Sequence, residues 1–393
     1  MGAMKVVCDR ADLLDAINLA SGAVASRSPK HQLECVKLVA HADGELTIAA
    51  TDGEIALRLT LPRVDVQSAG ESLVRADKLR AIIGAEDREK TLALETDGDA
   101  LHVRGEDARF ILHGYPPEDF PPVPDFRSAV AGGAGEAPAK DTFEHPAGDL
   151  SDLVQRTLFA AARENSRYAI NGVLLKREGK KLEMVATDGR RLALSRATLG
   201  SAGNAEAPTS CIIPSKALSM LVKLLNDDTE SVDVAILDNK AVFDIGPGDD
   251  GTSRATLSTN LVEGAFPPYE DVIPKDQDIK VRFDRDTLAS AVKRAALLTN
   301  EESRGVRLAF SGGEKTLNLS SRAPEMGEAE VRVELSGYEG DDIEIGFNPV
   351  FITDALKVID DSEVLLELKA SGKPGLVRSG QDFLYVVMPV NLT

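Results

Sequence analysis

The sequence predicts an α+β protein built from three tandem copies of one domain, each with two helices packed on antiparallel strands. The first observation is a strand running into an Asp-Gly turn at Leu46–Glu54, which recurs 136 residues later at Leu182–Arg190. The second is a degenerate third copy of the strand at Leu317–Arg322. A chain of 393 residues has room for two or three domains, and this period matches a whole domain rather than a solenoid repeat.

Two amphipathic helices are expected in each third, because apolar residues recur at i, i+3 and i+4. The opening helices are predicted at residues 10–25, 149–165 and 284–300, with Asp149 and Asp284 as N-caps. The second helices are predicted at residues 75–85, 214–226 and 348–359, where Pro214 and Pro349 stand near helix starts.

Short segments of alternating polarity predict antiparallel strands joined by Asp-Gly turns, as at residues 36–40, 55–59, 173–176 and 306–309. Proline-rich stretches at 120–124 and 266–274 are predicted to close the first two domains, because proline is excluded from central strands. The predicted domains are residues 4–126, 140–275 and 276–393. The Ala/Gly/Glu-rich residues 127–148 are predicted to be a loose linker or insertion.

The charge distribution bears on nucleic-acid binding. A net charge of −19 argues against it, because phosphates attract Lys and Arg. The six predicted helices nevertheless carry a net +3, which leaves −22 on the rest of the chain. A basic helical face on an acidic body would bind a polyanion without sequence preference. The alternative is that Lys216, Lys223 and Lys293 are ordinary solvated helix residues.

Cysteine usage and hydropathy indicate a compartment. Cys8, Cys35 and Cys211 form no Cys-x-x-Cys pair, so neither a disulfide framework nor a zinc site is expected. No apolar run reaches the ~18 residues of a membrane-spanning helix, and no basic-then-apolar signal segment opens the chain. We therefore expect a cytoplasmic protein with no membrane partner.

Enzyme motifs are missing from the sequence, which contains no GxxxxGK[ST], no GxGxxG after a strand, no HExxH and no GxSxG. No catalytic residue, metal or cofactor is expected. Asp52 and Asp188 are candidate metal carboxylates, but they occupy equivalent turns of two repeats, and the third copy has Ser321-Arg322 instead. We favour the interpretation that both are hairpin-turn aspartates.

Several motifs resemble one known family. Ala186–Ala193 is similar to a signature of the bacterial DNA polymerase III beta subunit, the sliding clamp. The family's other marks are matched in order by Arg167–Gly172, Phe266–Tyr269, Asn300-Glu301 with Arg304–Leu308, and Tyr385–Val390. The resemblance extends from Met4 to Leu392 and has the same three-fold internal repetition.

The resemblance implies a non-catalytic processivity factor for the replicative polymerase. Two subunits of three clamp domains would join head to tail into a ring of six domains around double-stranded DNA. Loose phosphate contacts would let the ring slide without reading bases. The implied protein partners are the DNA polymerase III alpha subunit, the clamp loader, and other polymerases and repair proteins with clamp-binding motifs. The residues predicted to face DNA are Arg27, Arg80, Arg167, Tyr168, Lys216, Lys223 and Lys293.

The resemblance also implies a pocket between the second and third domains that captures a partner's short peptide. Val386 and Met388 share one face of a strand by the two-residue period, and Leu192, Val272 and Met388 would form an adaptable apolar cup. The implied pocket residues are Ile170, Thr187, Gly189, Arg190, Arg191, Leu192, Pro267, Val272, Asn348, Phe351, Val386, Val387 and Met388.

The predicted dimer contact joins the end of the first domain to the start of the third by strand edges, which would continue the sheets across subunits. Its residues are Arg104, Arg109, Phe110 and Leu112 on one strand, Leu297 and Leu298 after a helix, and the acidic counterparts Glu325, Glu328 and Glu330.

The sequence departs from the family pattern at three places. Glu270-Asp271 is acidic where basic residues are usual, Asn391 replaces an arginine, and Arg190 stands where histidine is common. The first two change the charge at the pocket rim and so bear on partner preference. Two other functions are compatible with the residues alone: a monomeric protein-binding scaffold, and an Asp-dependent metal hydrolase.

Overall fold

The computed structural model describes residues 3–132, 137–163, 168–201, 207–225, 230–247, 253–299 and 305–391. The chain divides into two compact units. Unit 1 comprises Met1–Ser151, Leu199–Thr209 and Lys216–Leu261. Unit 2 comprises Asp152–Thr198, Ser210–Ser215 and Val262–Thr393.

Seven α-helices occur in the described residues, and six of them lie where a helix was predicted. They are α1 (Arg10–Ala20), α2 (Ala76–Ala85), α3 (Phe126–Ala131), α4 (Ala147–Leu158), α5 (Ser215–Leu224), α6 (Arg285–Ala295) and α7 (Pro349–Lys357). The opening helices end earlier than predicted. Apolar and alanine residues continue the helical spacing into the short turns that follow, so the sequence pattern overestimates the helix length. Ala23, for example, is buried although α1 ends at Ala20.

The helix N-termini test the capping predictions. Asp284 caps α6 as predicted, accepting the Thr287 N–H at 2.8 Å. Asn348 caps α7 through the Val350 N–H at 2.9 Å, with Pro349 in the first turn. The prediction for Asp149 was wrong, because α4 begins at Ala147 and places Asp149 inside its first turn. A carboxylate there still interacts favourably with the positive end of the helix dipole.

Unit 1 contains two antiparallel sheets. In spatial order, the eight-stranded sheet consists of β10 (Asp141–Pro146), β15 (Ser231–Ile236), β16 (Lys240–Pro247), β17 (Ser253–Asn260), β4 (Ile55–Leu61), β3 (Leu46–Thr51), β2 (Cys35–Ala40) and β6 (Gly70–Arg75). The five-stranded sheet consists of β5 (Asp65–Ser68), β1 (Lys5–Asp9), β7 (Thr91–Asp97), β8 (Ala100–Arg104) and β9 (Arg109–His113).

Unit 2 has the same organisation. Its nine-stranded sheet consists of β14 (Thr209–Pro214), β11 (Gly172–Glu178), β12 (Lys181–Thr187), β13 (Arg191–Thr198), β26 (Phe383–Val387), β25 (Gly375–Ser379), β24 (Glu363–Leu368), β18 (Ile279–Asp284) and β22 (Gly337–Glu339). Its four-stranded sheet consists of β21 (Gly327–Glu334), β20 (Thr316–Ala323), β19 (Val306–Ser311) and β23 (Ile343–Phe347).

Each large sheet runs from one sequence repeat into the next. In unit 1, β4 pairs with β17, with Leu57 opposite Leu257. In unit 2, β13 pairs with β26, with Leu192 opposite Val386. The three copies of the repeated strand are β3, β12 and β20, which confirms three tandem α+β repeats.

The prediction of a loose linker at residues 127–148 was wrong for the part of it that the structure describes. Asp125 caps α3, and Gly132 ends it at a φ of 75°, in the left-handed region that favours glycine. Ala129 of α3 is buried against Ala235, Leu237 and Val242. The following β10 adds an edge strand to the eight-stranded sheet. Residues 133–136 lie outside the described part of the chain.

None of the helices described is long and apolar enough to cross a membrane.

His145 gives unit 1 a pH-dependent stability. His145 is 1% exposed, and neither ring nitrogen has a hydrogen-bond partner among the residues that the structure describes. Burial lowers the pKa of His145 below its usual 6.5, and the nearby Asp149 only partly opposes this effect. His145 therefore binds a proton less readily in the folded state than in the unfolded state. Its contribution to the free energy of unfolding is fully present above about pH 6.5 and is lost as the pH falls towards the pKa of the folded state.

We expect His145→Leu to flatten the decrease in melting temperature between pH 7.5 and pH 5. Thermal melts of the two proteins at several pH values measure this slope. The matched control is His113→Leu, since His113 is exposed on β9 and should leave the slope unchanged. An identical slope in wild-type protein and His145→Leu would contradict the prediction.

Candidate functional site

The turn between β12 and β13 is built by three consecutive residues of the repeated motif. The Thr187 hydroxyl donates to the Arg191 carbonyl oxygen at 2.7 Å and accepts the Gly189 N–H at 3.1 Å. Asp188 Oδ1 accepts the N–H groups of Arg190 and Arg191 at 2.9 and 3.0 Å. Gly189 has a φ of 83°, which a side chain would strain. The sequence Thr-Asp-Gly is therefore a turn-forming device.

The first copy uses the same bonds. Asp52 Oδ1 accepts the Glu54 and Ile55 N–H groups at 2.9 and 2.8 Å, and its other oxygen pairs with the ammonium group of Lys216. In the third copy, the Ser321 hydroxyl donates to the Ala295 carbonyl oxygen at 2.6 Å inside a continuous strand. Asp52 and Asp188 are hairpin-turn aspartates, as the favoured interpretation held.

The described residues include one group of three carboxylates close enough to share a cation: Glu86, Glu89 and Asp107. Neither Asp52 nor Asp188 belongs to it. The carboxylates on which the metal-hydrolase hypothesis depends are committed to backbone N–H groups and to cationic side chains.

Arg191 ties this turn to the rest of unit 2. Its guanidinium donates to Asp188 Oδ2 and Asp354 Oδ2, both at 3.0 Å, and to the Phe159 carbonyl oxygen at 2.8 Å. The same group lies over the Phe351 ring, 4.5 Å from its centroid. Burial works against the charge of Arg191, but Asp354 and the other partners outweigh it and raise its pKa. The side chain is 10% exposed, so Arg191 mainly holds the site together.

The strand β26 brings the C-terminal segment to the turn. It ends at Val387, and Met388 extends the pairing by one bond, because its N–H donates to the Arg190 carbonyl oxygen at 2.9 Å. Val386 belongs to a buried cluster with Leu192 and Tyr269. Met388, by contrast, is 42% exposed. The predicted cup therefore has a buried floor and an exposed methionine at its margin.

The predicted pocket residues differ in accessibility. Four are exposed and able to touch a ligand directly: Gly189, Arg190, Val272 and Met388. Four are half-buried: Arg191, Pro267, Asn348 and Phe351. Five are buried: Ile170, Thr187, Leu192, Val386 and Val387. Val387 is 0% exposed and, by the two-residue period of β26, points to the opposite face of the strand from Val386, so its place in the lining stays a prediction.

A groove of about 560 Å³ adjoins Met388, and sequence analysis missed most of its lining. Its lining includes Met388 and the residues that follow it to Asn391, together with Arg307 and Glu344, which form an ion pair. The remaining lining residues are Ile345, Gly346, Ser371 and Gly372. The available signal was Arg307, which stands inside a family motif but carried no assigned role.

The acidic rim residues are not equivalent. Glu270 pairs with the ammonium group of Lys176 at 3.3 Å, and the same group donates to the Tyr269 hydroxyl at 3.1 Å. Asp271 is exposed. The Lys176 charge offsets that of Glu270, so the change in rim charge inferred from the sequence is smaller than the two carboxylates suggest.

The residues predicted to face DNA are exposed cations in most cases. In unit 1, Arg80 lies on α2, Lys223 in the last turn of α5, and Arg27 beyond the end of α1. In unit 2, Lys293 is exposed in the last turn of α6, and Tyr168 is 45% exposed. Arg167 lies outside the described residues. Lys216 is a partial exception, since Asp52 holds its ammonium group.

Among the described residues, the smaller sheet of unit 1 has edge strands β5 and β9, and the smaller sheet of unit 2 has edge strands β21 and β23; the residues of the predicted dimer contact lie on or near β9 and β21. Arg109, Phe110 and Leu112 lie on β9, but Arg104 does not, because a turn separates it on β8. Glu328 and Glu330 lie on β21, and Glu325 lies in the turn before it. Leu297 is 72% exposed, and Leu298 beside it is half-buried. Sequence analysis missed two exposed apolar residues here, Ile111 on β9 and Met326 before β21.

Each of the three sequence repeats matches a model of a known protein family. Three family models match in order: the DNA polymerase III beta subunit N-terminal domain at residues 4–124, its central domain at 146–268 and its C-terminal domain at 270–391. A beta sliding clamp from Pseudomonas putida is 32% identical over 391 residues, covering 99% of this chain and 100% of the relative. The beta sliding clamp of Escherichia coli is 31% identical with the same coverage.

Solved structures agree with this assignment. A Pseudomonas aeruginosa DnaN sliding clamp bound to griselimycin superposes with a TM-score of 0.86 at 32% identity, covering all of both chains. A Bacillus subtilis DNA polymerase sliding clamp superposes with a TM-score of 0.87 at 25% identity, again over both full lengths. The metal-hydrolase hypothesis is therefore wrong. The chain belongs to the DNA polymerase III beta subunit family, the sliding clamps, and is a non-catalytic processivity subunit.

Proposed function

We propose that two copies of this clamp join head to tail around duplex DNA. We also propose that unit 2 of each copy captures short peptide motifs of its partners. The partners are the DNA polymerase III alpha subunit, the clamp loader, and other polymerases and repair proteins with clamp-binding motifs. The proposed compartment is the cytoplasm, where bacterial DNA lies. The observation that carries the peptide proposal is the exposed Met388 beside the Thr-Asp-Gly turn, over a buried apolar floor.

The chemistry of this surface suits an apolar peptide anchor. Met388 and Val272 are 42% and 53% exposed, and both would be covered by a ligand. An apolar side chain that fills a desolvated centre contributes most of the energy of such an interface. Methionine adapts to ligands of different shape, which suits a site serving several partners.

The neighbouring groove gives room for the rest of an extended peptide. It continues from Met388 along Pro389 to Asn391 and reaches Ser371 and Gly372. The backbone of these residues offers polar groups, while Arg307 and Glu344 neutralise each other. The proposed ligand is therefore a short extended segment with apolar anchors. Arg190 and Asp271 at the margins would mainly affect its association rate.

The DNA contact proposed here is weak and not sequence-specific. Arg80, Lys223 and Lys293 are long exposed cations that reach phosphates without reading base edges. The chain as a whole carries −19, so tight adhesion to DNA is disfavoured. Enclosure in a ring would retain the protein on DNA, and weak contacts would leave it free to slide.

The open strands β9 and β21 support the head-to-tail arrangement. An uncovered edge presents unpaired N–H and C=O groups that another strand can satisfy. Pairing β9 of one copy with β21 of the next would bring Arg109 towards Glu328 and Glu330 and would cover Ile111, Leu297 and Met326. A contact of two different surfaces closes into a ring when the rotation between copies permits it.

Met388→Ala is expected to weaken binding of a fluorescent clamp-binding peptide by about 1–3 kcal/mol, because it removes an exposed apolar side chain that the bound peptide would cover and desolvate. Fluorescence anisotropy titration measures the dissociation constant. The matched control is Met326→Ala, which removes a methionine that is 50% exposed in the turn before β21 and should leave peptide affinity unchanged. Equal affinity in wild-type protein and Met388→Ala would overturn the pocket assignment.

A further inference from the structure

Both Thr-Asp-Gly turns are bonded by an ion pair to the second helix of the next repeat. In unit 1, Asp52 of the turn pairs with Lys216 in the first turn of α5. In unit 2, Arg191 at the end of the turn pairs with Asp354 on α7 at 3.0 Å. The charges are reversed between the two copies. The link between turn and helix is therefore kept while the residues that make it differ.

Asp354 is held on both of its oxygens. Oδ2 accepts from Arg191, and Oδ1 accepts from Lys357 Nζ at 2.9 Å. The side chain is 20% exposed. Burial would raise the pKa of Asp354, but the hydrogen bonds from Lys357 and Arg191 outweigh it and hold the pKa below its ordinary value. Asp354 is thus a carboxylate at neutral pH.

The contacts of Asp354 reach the wall of the peptide site through Arg191. The Arg191 guanidinium covers the Phe351 ring, and Phe351 stands one helical turn before Asp354 on α7. The carbonyl oxygen of Phe351 accepts the Tyr385 hydroxyl at 2.9 Å. Tyr385 in turn belongs to β26, the strand that leads to Met388. Turn, helix and strand are thereby joined around one aromatic ring.

We propose that Asp354 is a positioning residue of the peptide site, which fixes Arg191 against Phe351 and so preorganises the pocket without touching the peptide. This inference rests on the peptide capture proposed above. A ring that is already ordered loses little entropy when a ligand packs on it, whereas a loosened ring must be ordered by the ligand.

In the first copy, the ion pair between turn and helix occurs without an aromatic ring at the place of Phe351. Counted from the first residue of each helix, α5 carries Ala217 where α7 carries Phe351, and Met220 where α7 carries Asp354. The turn in unit 1 is bonded to its helix without an aromatic ring at that place. Asp354 thus occurs in the copy that has the ring.

The test compares peptide affinity in Asp354→Asn and Asp354→Glu. The amide cannot hold the guanidinium as a charged partner, and we expect affinity to fall by about tenfold. Glutamate keeps the charge and is expected to restore most of the affinity. The matched control is Asp360→Asn, which removes an exposed carboxylate paired with Arg156 at 2.9 Å in the same unit and should bind normally.

A spectroscopic reading separates positioning from general destabilisation. The sequence contains no tryptophan, so Phe351→Trp introduces the chain's only tryptophan at the wall, and its emission can be excited apart from that of the five tyrosines. Adding Asp354→Asn to this variant is expected to increase acrylamide quenching in the free protein, and adding Asp360→Asn is expected to leave quenching unchanged. If Asp354→Asn fails to fold, Asp354→Ser is used in both measurements with the same expectations.

The outcomes distinguish this inference from the proposed function. If wild-type protein binds the peptide and Met388→Ala binds poorly, but Asp354→Asn binds normally, the positioning role is overturned and peptide capture stands. If wild-type protein does not bind the peptide, both are overturned. A loss in Asp354→Asn without restoration by Asp354→Glu, or without increased quenching of the tryptophan, also overturns the positioning role.

Discussion

On closed circular duplex DNA, the loaded clamp is expected to persist after it has been lost from linear duplex of the same sequence. The reason is that retention would come from enclosure, while direct attraction is weak. With a net charge of −19, we expect a direct dissociation constant of about 10⁻⁴ M or weaker at physiological salt. A closed circle offers no end at which a ring can leave.

The measurement loads the clamp on a nicked circle with its loader and ATP, then separates free from bound protein by gel filtration. Cutting the circle with a restriction enzyme should release the clamp, and blocking the new ends with bound streptavidin should prevent release. Raising the salt concentration should strip direct contacts but leave the clamp on the circle. Equal lifetimes on circular and linear DNA would refute encirclement.

The second large effect is expected in the oligomeric state. Wild-type protein should sediment at twice 41.9 kDa, and Leu297→Ala combined with Leu298→Ala should sediment as a monomer. Leu297 is 72% exposed in the single chain and would be covered in the dimer. Burying a leucine is worth about 1.5–3 kcal/mol, so we expect the double truncation to raise the dimer dissociation constant about a hundredfold or more.

Analytical ultracentrifugation across a concentration series tests this. Val350→Ala is the matched control, because Val350 is an exposed apolar residue at the start of α7 and belongs to neither β9 nor β21. A double variant that remains dimeric at nanomolar concentration would place the interface elsewhere. A wild-type protein that sediments as a monomer would favour the monomeric-scaffold alternative over the ring.

Retention on circular DNA should depend on the dimer, whereas peptide binding should not. A monomeric Leu297→Ala, Leu298→Ala protein should lose its persistence on circular DNA, because a ring of two copies can no longer form around the duplex. Its affinity for the clamp-binding peptide should be unchanged, since the residues of that site all belong to unit 2 and exclude both leucines. Loss of both activities would indicate misfolding rather than monomerisation.

Much of the fold was predictable because it follows from local patterns. Six helices follow from the i, i+3, i+4 recurrence, and the predicted N-cap Asp284 bonds to an N–H group only three residues ahead. The Thr-Asp-Gly turns are similarly local, since Asp188 bonds to N–H groups two and three residues ahead. The prediction that Met388 and Arg190 line the pocket likewise rests on motifs contiguous with them along the chain.

Sequence by itself therefore determined the three-fold repeat, six of the seven described helices, the turn chemistry and the family. Only the tertiary structure decided which residues meet across long separations. Lys216 meets Asp52 across 164 positions, and Arg191 meets Asp354 across 163. It also decided that β4 pairs with β17 and β13 with β26, that α3 packs where a linker was expected, and that Val387 is buried while Met388 is exposed. Such contacts depend on how the sheets align and on the balance of chain entropy against burial, and no local periodicity encodes either.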